Sequence, residues 1–213
     1  MNTIHRSLLL CLASLAFAAS GRAEGVYLRG QAMFNHPNDV ETSSLTSFRS
    51  SLKNNVGYAG ALGYKFSMLR LEGELQHFKQ DAAQGSNAAG ATTGSGSYRQ
   101  FAGFANAFVD LPVVAGLGVY FGGGLGFARV NFDNFTARQS GVSVAQYSGK
   151  DSAFAHQVAA GLQFSFADRA TVHAGYRIVK QGDVKVRDSV TAAEQTVKLG
   201  ANRLFEIGLA IGF

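Results

Sequence analysis

Seven ionisable residues carry the chemistry this sequence could perform: Arg29, Lys65, Arg70, Glu72, Glu74, Arg177 and Glu206. Carboxylates in pairs are the usual material of general acid–base catalysis. Here the acids alternate with bases, and unpaired buried charges cost several kcal/mol each, so mutual ion pairing is the expected arrangement. A gate, in which such pairs rearrange to open a narrow path, is the functional version of the same set. His36, His77, His156 and His173 offer no two-histidine spacing with an intervening Glu, so metal chemistry is not expected. Gly122 to Gly124 precede neither a GK[ST] nor a G-x-G-x-x-G pattern. No cofactor follows from these residues.

The elements that must position the seven are read from period. In NRLFEIGLAIGF, Phe205, Ile207, Leu209, Ile211 and Phe213 share one face, while Glu206, Gly208, Ala210 and Gly212 share the other. The stretch from Leu111 to Ala128 contains six glycines and Pro112, which argues against a membrane helix; as a strand it places Val119, Phe121, Leu125 and Phe127 opposite Gly122, Gly124, Gly126 and Ala128. The same alternation runs through segments around Val26 to Asn35, Val56 to Phe66, Leu69 to Gln76, Gln157 to Phe166 and Val172 to Ile178. Between Tyr98 and Asp110 it is less clean, and Gln100, Asn106 and Asp110 are read as inward. A face of Gly, Ala and isolated charges opposite a face of large apolar groups suits the inside of a narrow barrel.

Connections alternate between long and short. Long links are expected at about 35 to 54, 80 to 97, 131 to 152 and 180 to 198, and tight turns at Ser67-Met68, Leu111-Pro112 and Ala167 to Ala170. Eight strands joined this way, apolar outside and small or polar inside, predict an all-β, eight-stranded antiparallel up-and-down transmembrane barrel. Closure satisfies every strand edge, as a lipid environment demands. Tyr58, Tyr64 and Tyr176 would contribute to interfacial aromatic girdles.

Composition agrees. Of 213 residues only 15% are charged against 46% hydrophobic, a poor fit to a globule solvated on all sides. The formal charge of +5 has no dense basic block, so nucleic-acid binding gains no support. A charged start, an apolar run from Ser7 to Ala19 and the small residues at Gly21 to Ala23 predict a secretory signal over residues 1–23, cleaved before a barrel domain spanning 24–213. Cys11, the lone cysteine, leaves with it.

Several segments carry a family resemblance: LRLEGELQ (Leu69 to Gln76), AFVDLPV (Ala107 to Val113) leading into the Gly-rich GVYFGGGLGF strand, HAGYR (His173 to Arg177), and a terminal Phe213 closing an alternating strand. In order and spacing the chain resembles the outer-membrane β-barrel family of small eight-stranded surface proteins, including Opa-like adhesins, porin-like antigens and the OmpA membrane domain. The resemblance implies a Gram-negative outer-membrane location, with outer-membrane lipid, lipopolysaccharide and the barrel-assembly machinery as partners. It also implies that Phe205, Leu209, Ile211 and Phe213 form the assembly signal. The loops are expected to hold any host-ligand or adhesin-like contacts, through Phe132, Phe135, Arg138, Tyr147, Lys185 and Arg187, while Lys180, Lys185, Arg187 and Lys198 suit lipopolysaccharide phosphates. The expected function is structural and surface-interacting, with a salt-bridged lumen. The alternatives are a small pore or hydrophobic-solute channel and, more remotely, a lipid A modifying enzyme. The deacylase-type His-x-Ser-Asn motif is missing, since His156 is followed by Gln157, Val158 and Ala159.

Overall fold

The computed structural model describes residues 24–36, 40–42, 48–52, 56–87, 90–139, 142–188, 194–198 and 200–213. The expected signal at 1–23 lies outside them. Twelve strands occur among the described residues: β1 (Gly25–His36), β2 (Val40–Thr42), β3 (Phe48–Leu52), β4 (Val56–Phe66), β5 (Leu69–Asn87), β6 (Gly90–Val114), β7 (Leu117–Gln139), β8 (Val142–Ala167), β9 (Ala170–Gln181), β10 (Val184–Asp188), β11 (Glu194–Lys198) and β12 (Asn202–Gly212). Eight of them form a closed antiparallel wall in the order β5, β4, β1, β12, β9, β8, β7, β6, with β6 pairing back to β5.

Over their described side chains, the eight wall strands obey the period of two. Leu28, Leu62, Leu75, Phe127 and Phe205 face outward and are exposed, while Arg29, Ala61, Glu74, Ala128 and Glu206 on alternate positions are buried. An exposed apolar wall is what lipid requires and water penalises. Following paired residues round the wall from Leu69 through Val109, Phe121, Ala160, Tyr176, Phe205 and Phe34 ends at Val56, whose next neighbour on β5 lies well above Leu69. The wall is therefore sheared and its strands tilt, as closure of a narrow barrel demands.

One tight turn and the long links differ from expectation. The turn expected at Leu111-Pro112 lies at Ala115 and Gly116 instead. Gly116 adopts φ +78°, and a Cβ there would come within 2.9 Å of the Ser165 carbonyl oxygen, so glycine fits where other residues are strained. Pro112 stays in β6, opposite Gly118 and beside a register shift near the strand end, where a missing N–H is tolerated.

The long links are also largely strand. β5 and β6 stay paired out to Asn87 and Gly90, and β7 and β8 out to Gln139 and Val142. Around β5 to β8 the remaining wall is supplied by β3, β2, β11 and β10, which pair in turn from β5 round to β8. The loop segments thus continue the barrel past its apolar band. Their Gly- and Ser-rich composition concealed this, because a register already fixed in the wall below extends along a ladder even where side chains add little.

Candidate functional site

The lumen holds the seven predicted ionisable residues, and the structure joins all of them, with Asp110, into one chain of ion pairs. Lys65 Nζ reaches Asp110 Oδ2 at 3.2 Å, and Arg70 Nε donates to Asp110 Oδ1 at 3.0 Å. Arg70 Nη1 also bonds Glu72, its neighbour on the same face of β5. Arg29 Nη2 then bridges Glu72 at 2.5 Å and Glu74 at 2.7 Å. Arg177 closes the series, with Nη1 2.8 Å from Glu74 Oε1 and Nε 2.6 Å from Glu206 Oε2. Base and acid alternate from Lys65 to Glu206, so the formal charges cancel.

Seven of these eight lie below a tenth exposed, and Arg177 is inaccessible to water; Lys65, at the turn end, is half-buried. Ions so placed persist only when paired and hydrogen-bonded. Further partners supply those bonds. The Tyr120 hydroxyl donates to Glu206 Oε1 at 2.7 Å, and the Tyr27 hydroxyl to Glu72. Gln76 Nε2 donates to Glu74 Oε1 at 2.5 Å and to Gln157 Oε1 at 2.8 Å. Gln157 donates to Asn106 at 2.7 Å, and Asn106 to Glu74 at 3.1 Å. The Arg70 guanidinium lies 4.8 Å from the Phe108 ring centre, a cation–π contact.

Glycines on nearby strands make room for the larger groups. A Cβ at Gly63 would overlap the Tyr27 ring, one at Gly57 the Phe78 ring, and one at Gly175 the Tyr120 hydroxyl. His173, read as lumenal, is buried and exchanges a 3.2 Å hydrogen bond with Gln31.

A second layer departs from the expected polar or small interior. Met33, Phe78, Ala102, Phe104, Ala128, Ala155, Val179 and Leu204 form a buried apolar cluster. Phe78 follows Glu74 and Gln76 up β5, Val179 follows Arg177 up β9, and Met33 follows Arg29 and Gln31 up β1. The cluster therefore sits on the loop side of the ion pairs. Reading Gln100, Asn106 and Asp110 as inward gives Phe104 the same parity, with Phe101 on the opposite face; the structure leaves Phe101 exposed and buries Phe104. Tyr27 and Tyr120 were missed, although the parity of Arg29 and Gly122 places them inward.

The remaining predicted residues are spread over other places. Phe205, Leu209, Ile211 and Phe213 face outward on or beyond β12, and the Phe213 N–H donates to the Val26 carbonyl at 3.0 Å. Lys185 is exposed on β10. Phe132, Phe135, Arg138, Tyr147 and Arg187 occupy strand backbone, but their side chains lie outside the described residues, as does that of Lys198. Among the described residues, no three His, Cys, Asp or Glu gather as a metal site.

Uncharacterised proteins of Brucella abortus (strain 2308) and Brucella suis biovar 1 are each 27% identical over 150 residues, 61% of this chain and 53% of theirs. The chain thus spans about half the length of these curated relatives. Neisserial surface protein A is similar in fold at TM-score 0.57 and 16% identity, covering 89% of this chain and 97% of that one. OprG of Pseudomonas aeruginosa is similar at TM-score 0.63 and 12% identity, covering 91% and 98%. The model of the outer membrane protein β-barrel domain matches residues 7–205. With that match laid over a closed, apolar-walled eight-stranded barrel, the chain belongs to the outer membrane protein β-barrel domain family.

Proposed function

We propose that this outer-membrane barrel is sealed and non-enzymatic, and that its work is done at the cell surface. The observation that carries this reading is the filling of the lumen by two unlike layers in series. An ion crossing the barrel must first separate a neutral chain of buried ion pairs and then pass an apolar cluster that offers no hydration. Each barrier alone costs several kcal/mol. Acid–base catalysis finds no free carboxylate there, because Glu72, Glu74 and Glu206 each accept from an arginine.

Above the apolar band, the paired hairpins β5–β6 and β7–β8 and the β10–β11 hairpin hold the loop positions in fixed register. That suits an adhesin-like role through Phe132, Phe135, Arg138, Tyr147, Lys185 and Arg187, with a host surface ligand and lipopolysaccharide as partners. In this reading the protein arrives through its cleaved signal and the assembly machinery.

Planar-bilayer recording tests the seal. Wild type and Glu206→Ala are both expected to be silent. Steady steps from wild type would overturn the sealed reading in favour of a small pore, and steps only from the variant would mark the ion pairs as a gate. Shortening the β7–β8 hairpin tip should lower whole-cell binding to epithelial cells without altering heat-modifiable migration on SDS gels. Unchanged binding would remove the adhesin-like role.

A further inference from the structure

At the turn end of the barrel the lumen opens into a cavity of about 80 Å³ whose two sides differ in chemistry. On β1, β4 and β5 the wall is basic, with Arg29, Lys65 and Arg70, whereas on β8 and β9 it is neutral, with Gln163, Ser165 and Thr171. Between these sides β12 contributes Ala210 and Gly212. In register Arg29 faces Ala210 and Ala210 faces Thr171, so a small side chain keeps open the gap that a larger one would close.

Charge is uneven along the barrel axis. Within the rim, three bases line the cavity against one acid, Asp110, which Lys65 and Arg70 both engage. Glu72, Glu74 and Glu206, the other carboxylates of the ion-pair chain, are not part of this lining. At the rim Arg169 stands with Asp168 and Glu24, and both acids are exposed. Water and salt screen those two, while the enclosed part keeps a positive lining.

Several donors in this wall are unused. Arg29 makes both of its ion pairs through Nη2, and its Nε and Nη1 have no partner among the described residues; nor has Gln163 Nε2. Both side chains are buried. Ser165 Oγ and Thr171 Oγ1 lie 2.8 Å apart, a bond that uses one of their two hydrogens and leaves the other to donate. Buried donors without acceptors cost free energy, so this set calls for an acceptor with several oxygens.

We propose that the cavity is a binding site for a phosphate group, presented from the periplasmic side where the short turns of such barrels lie. Its volume suits one tetrahedral oxyanion or a few water molecules, and the remainder of a phosphate ester would project through the mouth. Arg29 and Arg70 supply the charge-assisted donors that phosphate oxygens prefer, and Lys65 adds a point charge. Gln163 and the hydroxyl pair complete the opposite side. The ion pairs behind Arg29 close the inner end, which makes the site a pocket with one entrance. Conductance bears on the sealed reading alone and leaves this site standing.

The test titrates the full barrel in detergent with inorganic phosphate, glycerol phosphate or chloride at matched ionic strength, and reads binding by calorimetry. Wild type should bind phosphate at one site and chloride far more weakly. Ala210→Leu fills the gap, and Gln163→Leu removes a donor without touching an ion pair; each should weaken phosphate binding roughly tenfold. Lys180→Gln, a base on the loop side, should leave it unchanged. Heat-modifiable migration shows which variants are folded, and Gln163→Leu keeps the test decisive if the larger side chain at 210 prevents folding. Binding of the ester as well as the free anion would support a phosphate carried on a small molecule, and binding of inorganic phosphate alone would support the free anion as ligand. No binding by wild type, equal binding by folded Ala210→Leu or Gln163→Leu, or chloride held as tightly as phosphate would each overturn the site.

Discussion

Tyr120 and Glu206 meet across the lumen from strands β7 and β12, the phenol donating to Oε1 at 2.7 Å while Arg177 donates to Oε2 at 2.6 Å. The phenol reaches that far because β8 and β9 present glycine beneath it. Gly161 and Gly175 are paired directly, and a Cβ on either would strike Tyr120. Small residues on one pair of strands thus set the position of a hydrogen bond between two others.

Gly175→Ala should therefore destabilise the barrel by about 1–3 kcal/mol, the usual range for overpacking a filled interior. Its Cβ would also come within 2.7 Å of the Ala160 carbonyl oxygen, so movement of Tyr120 alone gives no relief. Gly73→Ala is the control: nothing lies within 4 Å of the added Cβ. Urea unfolding in detergent should show the first change and no comparable loss for the second. Equal effects would mean that lumen packing is not the cause.

Arg177 is the most deeply enclosed charge, shared between Glu74 and Glu206. Arg177→Met should cost about 3–5 kcal/mol, because two carboxylates lose a partner inside the wall. Adding Glu206→Gln should recover part of that loss, so the double variant should be more stable than the sum of its single changes. Additive losses in the same unfolding assay would show that the two side chains act independently.

The barrel was legible in the sequence because lipid makes the outward face almost purely apolar, and the alternation in β12 and β7 then assigns inside and outside without ambiguity. The inward ionisable residues followed from the same parity. What composition concealed depended on distance round the barrel. Phe104 and Met33 share their faces with polar residues such as Asn106 and Gln31, and only closure shows that they meet Leu204 and Val179 in one apolar layer. Likewise, nothing local to the Gly- and Ser-rich segment near Gly90 signals a strand; its pairing is inherited from Lys79 and Arg99 below it. The turn was misplaced at Pro112 because proline is a common turn residue, yet Gly116 supplies the positive φ that the tight connection uses.

Asp151 ties β10 to β8 above the apolar band, accepting the Lys185 backbone N–H and the Ser152 N–H, each at 2.7 Å. The Lys185 bond, then the Ser152 bond, hold its carboxyl below the ordinary carboxylate range. A depressed folded-state pKa contributes stability above the unfolded value, which is lost as pH falls through the folded one. Protection of the Lys185 amide from hydrogen exchange, corrected for intrinsic rate, should therefore stay level from neutral pH to about 5 and fall only below about 4. Asp151→Asn should weaken protection at neutral pH and abolish that fall. A fall centred near pH 6 in wild type would assign the effect to another group.

Phe213 separates stability from assembly. Its backbone N–H joins β12 to β1 through Val26, but its ring is exposed at the end of the outward row formed by Phe205, Ile207, Leu209 and Ile211. Phe213→Ala leaves that backbone bond intact and removes only an exposed ring, so the purified barrel should lose less than about 1 kcal/mol. If the row is the signal read during insertion, folded protein in cells should nevertheless drop severalfold, while refolding of the same variant from urea into detergent proceeds as for wild type. An equal deficit in both settings would make Phe213 a structural residue, and no deficit in cells would remove it from the assembly signal.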